Sequence, residues 1–302
     1  MGVSARHVLQ QLPTLGAMVR AGARDALRAV KRPPDEALPE LPGPWITATL
    51  PPRQPLMTEV YARHVGADAL RYEGRVPPHL FPQWTFPLQL EAMRSLPFPL
   101  GRMLNAGARL EVDEALPMNE PLQVATRLER VDASPSRVLV ECLSETGTAL
   151  RPAAQRARFR AILPRRGSGQ PKSAIPDDAR ELARWTIPVD AGLDFAKLTG
   201  DFNPIHWVPS YAKAWGLANV ILHGFSTLAR TWEGLAHRLA MEPGLLDVRF
   251  EQPLVLPAQV GLFVRGDAQE GEVWVGQAPG AAPSMRGTYR ARGRRPMTKP
   301  SE

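Results

Sequence analysis

The sequence predicts an α+β protein of two related halves, each an antiparallel sheet curled around one central apolar helix. Three observations lead there. Short segments recur in the same order in both halves, one long apolar helical stretch stands near the middle of the second, and strand-length runs separated by turn residues follow in each.

The first element is separate from these halves. From Thr14, read as an N-cap after Pro13, the positions Leu15, Met18, Val19, Gly22, Ala26 and Val30 recur at three- and four-residue spacing, while Arg20, Arg24, Arg28 and Lys31 line another side. This describes a basic amphipathic helix. Its apolar side is rich in Gly and Ala and bears no aromatic anchor, which favours a helix capping the protein's own body over a membrane-surface or targeting segment. A proline-rich connection (Pro33, Pro34, Pro39, Pro42, Pro44) completes this N-terminal unit, residues 1–44.

The duplication rests on four correspondences. Tyr61–Gly66 aligns with Phe195–Gly200, Ala108–Glu111 with Val248–Glu251, Leu116-Pro117 with Leu256-Pro257, and Arg158–Ala161 with Thr288–Ala291. Each is weak alone; their common order is the evidence. In the first half, 45–164, strands are expected at Met103–Val112, Leu122–Val131, Arg137–Leu143 and Gln155–Leu163. The stretch Arg165–Lys172, with Gly167, Ser168, Gly169 and Pro171, reads as a linker. In the second half, 173–302, Phe225, Leu228, Ala229, Trp232, Leu235, Ala236 and Leu239 give a helix apolar over a wide arc, hence wrapped by other structure. Strands are expected after it at Leu246–Gln252, Val260–Gly266, Val273–Gln277 and Ser284–Ala291.

Charge argues against nucleic acid as a partner. The net +7 comes from the ends: residues 1–32 and 286–302 each hold six Lys/Arg against one acid, which leaves 33–285 acidic. No apolar run reaches the roughly 18 residues of a membrane span, so stable insertion is not expected. The one cysteine, Cys142, excludes an internal disulfide and fits a reducing compartment, the cytoplasm.

Chemistry concentrates at Thr199–His206. Gly200 supplies a left-handed helix end, Asp190 a cap for the helix before it, and Asn203-Pro204 a rigid turn that presents Asp201 and His206 together. Five apart on a helix, those two would diverge; on this loop they can share one small volume. Asn203 orients the loop by bonding backbone or the Asp201 carboxylate. Pro209 opens a short helix that Gly216 ends. His223-Gly224 then precedes the central helix, whose first amides are free donors for a carbonyl oxygen gaining negative charge. Gly224 would let a ligand approach that backbone.

The run Phe195–His223 resembles the hydratase 2 motif of the MaoC-like dehydratases, the (R)-specific enoyl-CoA hydratases. That motif is an aromatic-Ala pair, Ser/Thr-Gly-Asp-x-Asn-Pro-hydrophobic-His, a Pro, and a His-Gly pair. Here it stands as Phe195-Ala196, Thr199–His206, Pro209 and His223-Gly224. The resemblance implies a double hot-dog fold acting on fatty-acyl thioesters of CoA or an acyl carrier protein, with no metal and no redox cofactor. It makes Asp201 and His206 the catalytic pair, Asn203 and Pro204 their orienting neighbours, and His223, Gly224 and Phe225 the thioester-carbonyl and pocket residues. The active unit would be a monomer acting as an internal pseudo-dimer, or a homodimer.

Two departures from the motif matter. Val208 stands where members usually carry Asp, which alters loop anchoring. In the first half, Ala67 and Tyr72 fall at the positions of Asp201 and His206, so that copy cannot run the chemistry. Its prolines Pro82, Pro87, Pro97 and Pro99 are expected to interrupt its helix and let a bulky acyl chain pass. The Arg-rich strands (Arg156, Arg158, Arg160; Arg286, Arg290, Arg292) read either as a phosphate-binding face or, preferably, as solvated sheet edges. Thioester hydrolysis and a non-catalytic acyl-thioester-binding subunit are the competing functions.

Overall fold

A computed structural model describes residues 2–31, 38–164 and 173–293. The expected linker 165–172, the start of the proline-rich connection (32–37) and the C-terminal residues 294–302 lie outside the described residues. The helices are α1 (Leu12–Lys31), α2 (Pro55–His64), α3 (Pro82–Ala92), α4 (Ala191–Thr199), α5 (Pro209–Ala214) and α6 (Gly224–Arg238). The strands of the first half are β1 (Ile46–Leu50), β2 (Arg75–Val76), β3 (Leu104–Val112), β4 (Leu116–Pro117), β5 (Leu122–Ala133), β6 (Arg137–Gly147) and β7 (Gln155–Pro164). Those of the second are β8 (Arg180–Ile187), β9 (Pro243–Phe250), β10 (Ala258–Gly266), β11 (Glu270–Gly276) and β12 (Met285–Ala291).

Ten strands form one antiparallel sheet in the order β1-β5-β6-β7-β3-β9-β12-β11-β10-β8. The order reads as one five-stranded unit followed by its reverse, so a pseudo-twofold axis runs between β3 and β9. The register locates it: Ala108 pairs with Val248, flanked by Gly107 with Arg249 and Arg109 with Asp247. These are the residues aligned by sequence, and equivalents pair symmetrically about the axis. The aligned segments 158–161 and 288–291 need a correction. Leu110 faces Ala157, and its equivalent Phe250 faces Met285, so Met285 rather than Gly287 is the counterpart of Ala157. A slip of two residues keeps each side chain on its face, which is why the sequence tolerated the misalignment.

Alternation builds the sheet's two faces. Along β7, Gln155, Ala157, Phe159 and Ala161 are buried, while Arg156, Arg158 and Arg160 face outward. Those arginines are not at a sheet edge, as the edges are β1 and β8. They pair instead with acids: Arg156 with Asp113 and Glu145, Arg158 with Glu141, Arg160 with Glu141 and Asp247. Arg286 likewise pairs with Glu251. Sequence reasoning did not find β1 and β8, the first strand of each half: β1 alternates over only five half-exposed residues, and β8 has no clean alternation.

α6 is buried on nearly every side, from Phe225 to Ala236, with Trp232 among the largest enclosed side chains. Its counterpart α3 continues through Pro87, with Pro82 in its first turn, so the prolines do not interrupt it as expected. Pro87 has no N–H for the carbonyl of Gln83. The hydroxyl of Thr14 donates to that carbonyl instead, at 3.4 Å. Thr14 is therefore buried inside α1 rather than an N-cap, and a 3-10 turn over Ala5–Gln11 leads into the helix. Arg24, assigned to the basic outer side, turns inward to the carbonyls of Leu96 and Phe98. Among the described residues no helix is long and apolar enough to cross a membrane.

Candidate active site

α4 ends at Thr199, and Gly200 follows at φ 87°, the left-handed residue that releases the chain. Asp190 stands at the N-cap but makes no side-chain cap bond, in contrast to its expected role. Beyond Gly200 the loop is held by short local bonds. The Asp201 carboxylate accepts the Asn203 N–H at 3.3 Å, and the Asn203 side chain accepts the Ile205 N–H at 3.3 Å. Pro204 opens a 3-10 turn that ends at His206. Val208 precedes α5 with no side-chain cap, as its loss of a carboxylate implies.

Asp201, His206 and His223 converge: a carboxylate oxygen and one nitrogen of each imidazole lie within 4.8 Å of one another. The His206 Nδ1–H donates to the Ile221 carbonyl at 2.9 Å, which leaves Nε2 as the ring's lone-pair nitrogen. Burial lowers the His206 pKa below 6.5, although Asp201 and the Ile221 bond pull the other way. The imidazole is thus neutral at pH 7, with a basic nitrogen available.

His223 lies beneath this pair. Its ring stacks on His206 at 3.6 Å between centroids and packs against Phe195 at 5.0 Å. Its Nε2–H donates to the backbone carbonyl of Asp201 at 2.9 Å, and its carboxylate contact is longer, 3.9 Å. Burial, reinforced by the neighbouring His206, holds His223 well below 6.5. So the structure directs His223 to the loop rather than toward an acyl carbonyl. The three side chains have the composition of a metal site, but each histidine commits one nitrogen to a carbonyl, and the His223 nitrogen nearest Asp201 is the committed one. Asp201 and the uncommitted Nε2 of His206 are two groups suited to holding a water between them.

Pro82, Phe86, Phe195, Thr199, Asp201 and Phe225 line a narrow crevice beside the loop. It opens between α3 of the first half and α4 and α6 of the second. Gly224, expected to admit a ligand, is small for another reason: a Cβ there would stand 2.5 Å from the Phe250 ring. Gly192 was missed. A Cβ on it would meet the His206 carbonyl oxygen at 2.2 Å, so α4 seats the turn that carries His206 directly on its first residues. A glycine in a helical pattern was the available signal.

The first half keeps the loop's shape without its chemistry. Gly66 is left-handed at φ 84°, and a 3-10 turn ends at Tyr72 as the other ends at His206. The Tyr72 hydroxyl donates to the Glu233 carboxylate of α6, and His79 Nε2–H reaches the same oxygen at 2.7 Å. Tyr61 closes the network on His79, 3.0 Å from Nδ1. Burial alone would raise the Glu233 pKa, but the bonds from His79 and Tyr72, with Arg71, hold it below 4.5. The first half's copy of the loop is thus part of a buried clasp between the halves.

A ten-stranded sheet of two inverted five-stranded units, each with its own helix, is a double hot-dog fold, and the cluster of Asp201, His206 and His223 lies in its second half. Residues 173–269 match the family described as MaoC like domain. The chain is similar to 3-hydroxyacyl-thioester dehydratase X of Mycobacterium tuberculosis, 26% identical over 234 residues, which span 74% of this chain and 81% of that protein. A crystal structure of HtdX from the same organism aligns with a TM-score of 0.68 at 25% identity, over 82% of this chain and 99% of that one. A second Mycobacterium tuberculosis protein, described as having a double hot-dog fold, aligns at 0.56 with 10% identity, over 83% and 96% of the two chains.

Proposed function

We propose that this protein adds water to trans-2-enoyl thioesters to give (R)-3-hydroxyacyl thioesters, and catalyses the reverse dehydration. The observation that carries this is the spacing of the Asp201 carboxylate and a His206 ring nitrogen, within 4.8 Å. One water spans such a gap with two hydrogen bonds of about 2.8 Å. Neutral His206 takes a proton at Nε2 as the water oxygen bonds to the β-carbon, and Asp201 accepts the other hydrogen and orients the attack. The proton on His206 then passes to the α-carbon on the same face. The first amides of α6, at Gly224 and Phe225, stabilise the thioester oxygen as it gains enolate charge. Addition of water transfers no electrons, so the step calls for no redox cofactor. The similarity to a protein named 3-hydroxyacyl-thioester dehydratase supports the same reaction class.

The division of labour follows from the two loops. The second half, 173–302, carries the catalytic pair, and the first, 45–164, supplies the opposite wall of the crevice through Pro82 and Phe86. The acyl group is carried on CoA or on an acyl carrier protein. Incubation with crotonyl-CoA and with a crotonyl carrier protein tests the reading. Enone absorbance should fall without release of free thiol, and Asp201→Asn or His206→Ala should lower that rate at least about 100-fold. Thiol release would make the protein a thioesterase, and unchanged variants would remove the pair from the mechanism.

A further inference from the structure

The N-terminal segment is seated on the crevice. Thr14 touches Gly200, where an added Cβ would stand 2.7 Å from its own, and bonds the carbonyl of Gln83. Gly200 and Gln83 each adjoin a crevice-lining residue, Thr199 and Pro82. The crevice itself is too narrow to hold a water-sized sphere. Any extended acyl chain that passes along it needs neighbouring structure to move, and α1 packs behind the lining residues through the contacts of Thr14 with Gly200 and Gln83.

That seat is weak for its size. On the segment, the buried residues are His7, Gln11, Thr14 and Ala17, so only one of them is apolar. Leu9, Leu12, Val19 and Leu27 point to solvent. Three side-chain atoms buried at the seat have no partner: His7 Nδ1, Gln11 Oε1 and, on α3, Gln83 Oε1. Unpaired buried polar atoms penalise the docked state, against which stand only the half-buried Val8, Leu15, Met18 and Ala21 and, further along α1, the bonds that Arg24 and Asp25 make to the body. The body is also prepared for departure of the segment. The Leu198 carbonyl at the end of α4 accepts from Gln11 at 3.1 Å and separately from Gln83 at 3.4 Å, so it keeps a donor when Gln11 leaves.

From this we infer that the N-terminal segment, from the 3-10 turn at Ala5 through the described part of α1, is a gate that sets which acyl chains the crevice accepts. Short chains react with it seated, and long chains require it to lift. The inference rests on the thioester reading for its substrate and on the seat alone for its motion, and the two can be tested apart.

The lock uses Gln10 and Gln54, whose side chains hydrogen-bond across the exposed seam between segment and body. In Gln10→Cys/Gln54→Cys a short bis-maleimide would tie the two together, with Cys142 buried out of reach. Crosslinking should leave turnover of a four-carbon enoyl-CoA within about twofold and lower that of a sixteen-carbon one at least tenfold. An unchanged ratio of the two would overturn the gate. Hydrogen exchange on the uncrosslinked full chain reads the motion without any substrate. Amides of residues 8–20 should exchange at least tenfold faster than those of α6, through opening that leaves the sheet protected. Equal protection would overturn the gate, whereas a lifting segment in a protein inactive on every enoyl thioester would uphold the motion and reject the thioester reading.

Discussion

The imidazole of His206 lies flat on that of His223, 3.6 Å between centroids and 24° from parallel. One ring faces the loop's reaction volume and the other is sealed beneath it, bonded to the backbone of Asp201. This stack couples the helix start at α6 to the position of both proposed catalytic groups.

Replacing His223 with Phe should therefore keep the stack and remove the hydrogen bond to Asp201. The expected result is a fall in kcat of about tenfold or more with a smaller change in KM, because the loop is misplaced while the crevice remains. A stability loss of about 1–3 kcal/mol should accompany it, from the unpaired carbonyl. Steady-state kinetics and urea denaturation on the same preparation check both.

The pH profile should report His206. Burial keeps it below 6.5, so the basic form is complete at pH 7 and is lost only as pH falls through the lowered value. The acidic limb of kcat/KM for hydration should have its midpoint below 6.5. A midpoint at or above 6.5 would contradict a neutral, buried base.

Stability should also fall with acid, and His64 should contribute. Burial, with Arg230 beside it, pushes His64 down to about 4, while Asp194 pulls the other way. The unfolded chain then binds this proton first, near 6.5. Stability is complete above that value and drains as pH falls from 6.5 toward about 4, by on the order of 3 kcal/mol. Denaturation of His64→Gln across this window should show a shallower slope than the unmodified protein.

Gly192→Ala sets two effects against each other. Alanine normally gains about 1 kcal/mol over glycine inside a helix. Here its methyl would stand 2.2 Å from the His206 carbonyl oxygen, a backbone atom that cannot rotate away. Sterics should win: the variant should lose about 1–3 kcal/mol and at least tenfold in kcat, measured by thermal melting and crotonyl-CoA turnover.

The clasp should matter to folding and little to chemistry. Glu233→Ala leaves His79 and Tyr72 buried with no carboxylate between them, and it should cost about 3–5 kcal/mol. Once folded, the protein should retain turnover within a few-fold, because the clasp lies in the first half's version of the loop.

Much of this protein was legible before any coordinates. Repeated segments gave the two halves, and the pairing of Ala108 with Val248 places the symmetry where the alignment put it. Gly200 announced the release of Asp201, because a left-handed backbone demands a residue without a side chain. β1 and β8 escaped for different reasons: β1 alternates, but over only five residues, whereas β8 buries neither face cleanly and carries no alternation to read. Asp190 and Thr14 were misassigned because capping and burial are set by neighbours distant in the chain.

By itself the sequence determined what depends on local chemistry: the apolar helix, the turn that bends at Asn203-Pro204, and the acid and imidazole on one loop. Tertiary structure alone decided what depends on distant partners meeting. It placed His223 under His206, Gly192 against the turn that carries His206, Phe250 over Gly224 and Thr14 in the gap that Pro87 leaves on Gln83. These contacts join residues well over ten positions apart in the chain, and no local pattern records which of them will touch.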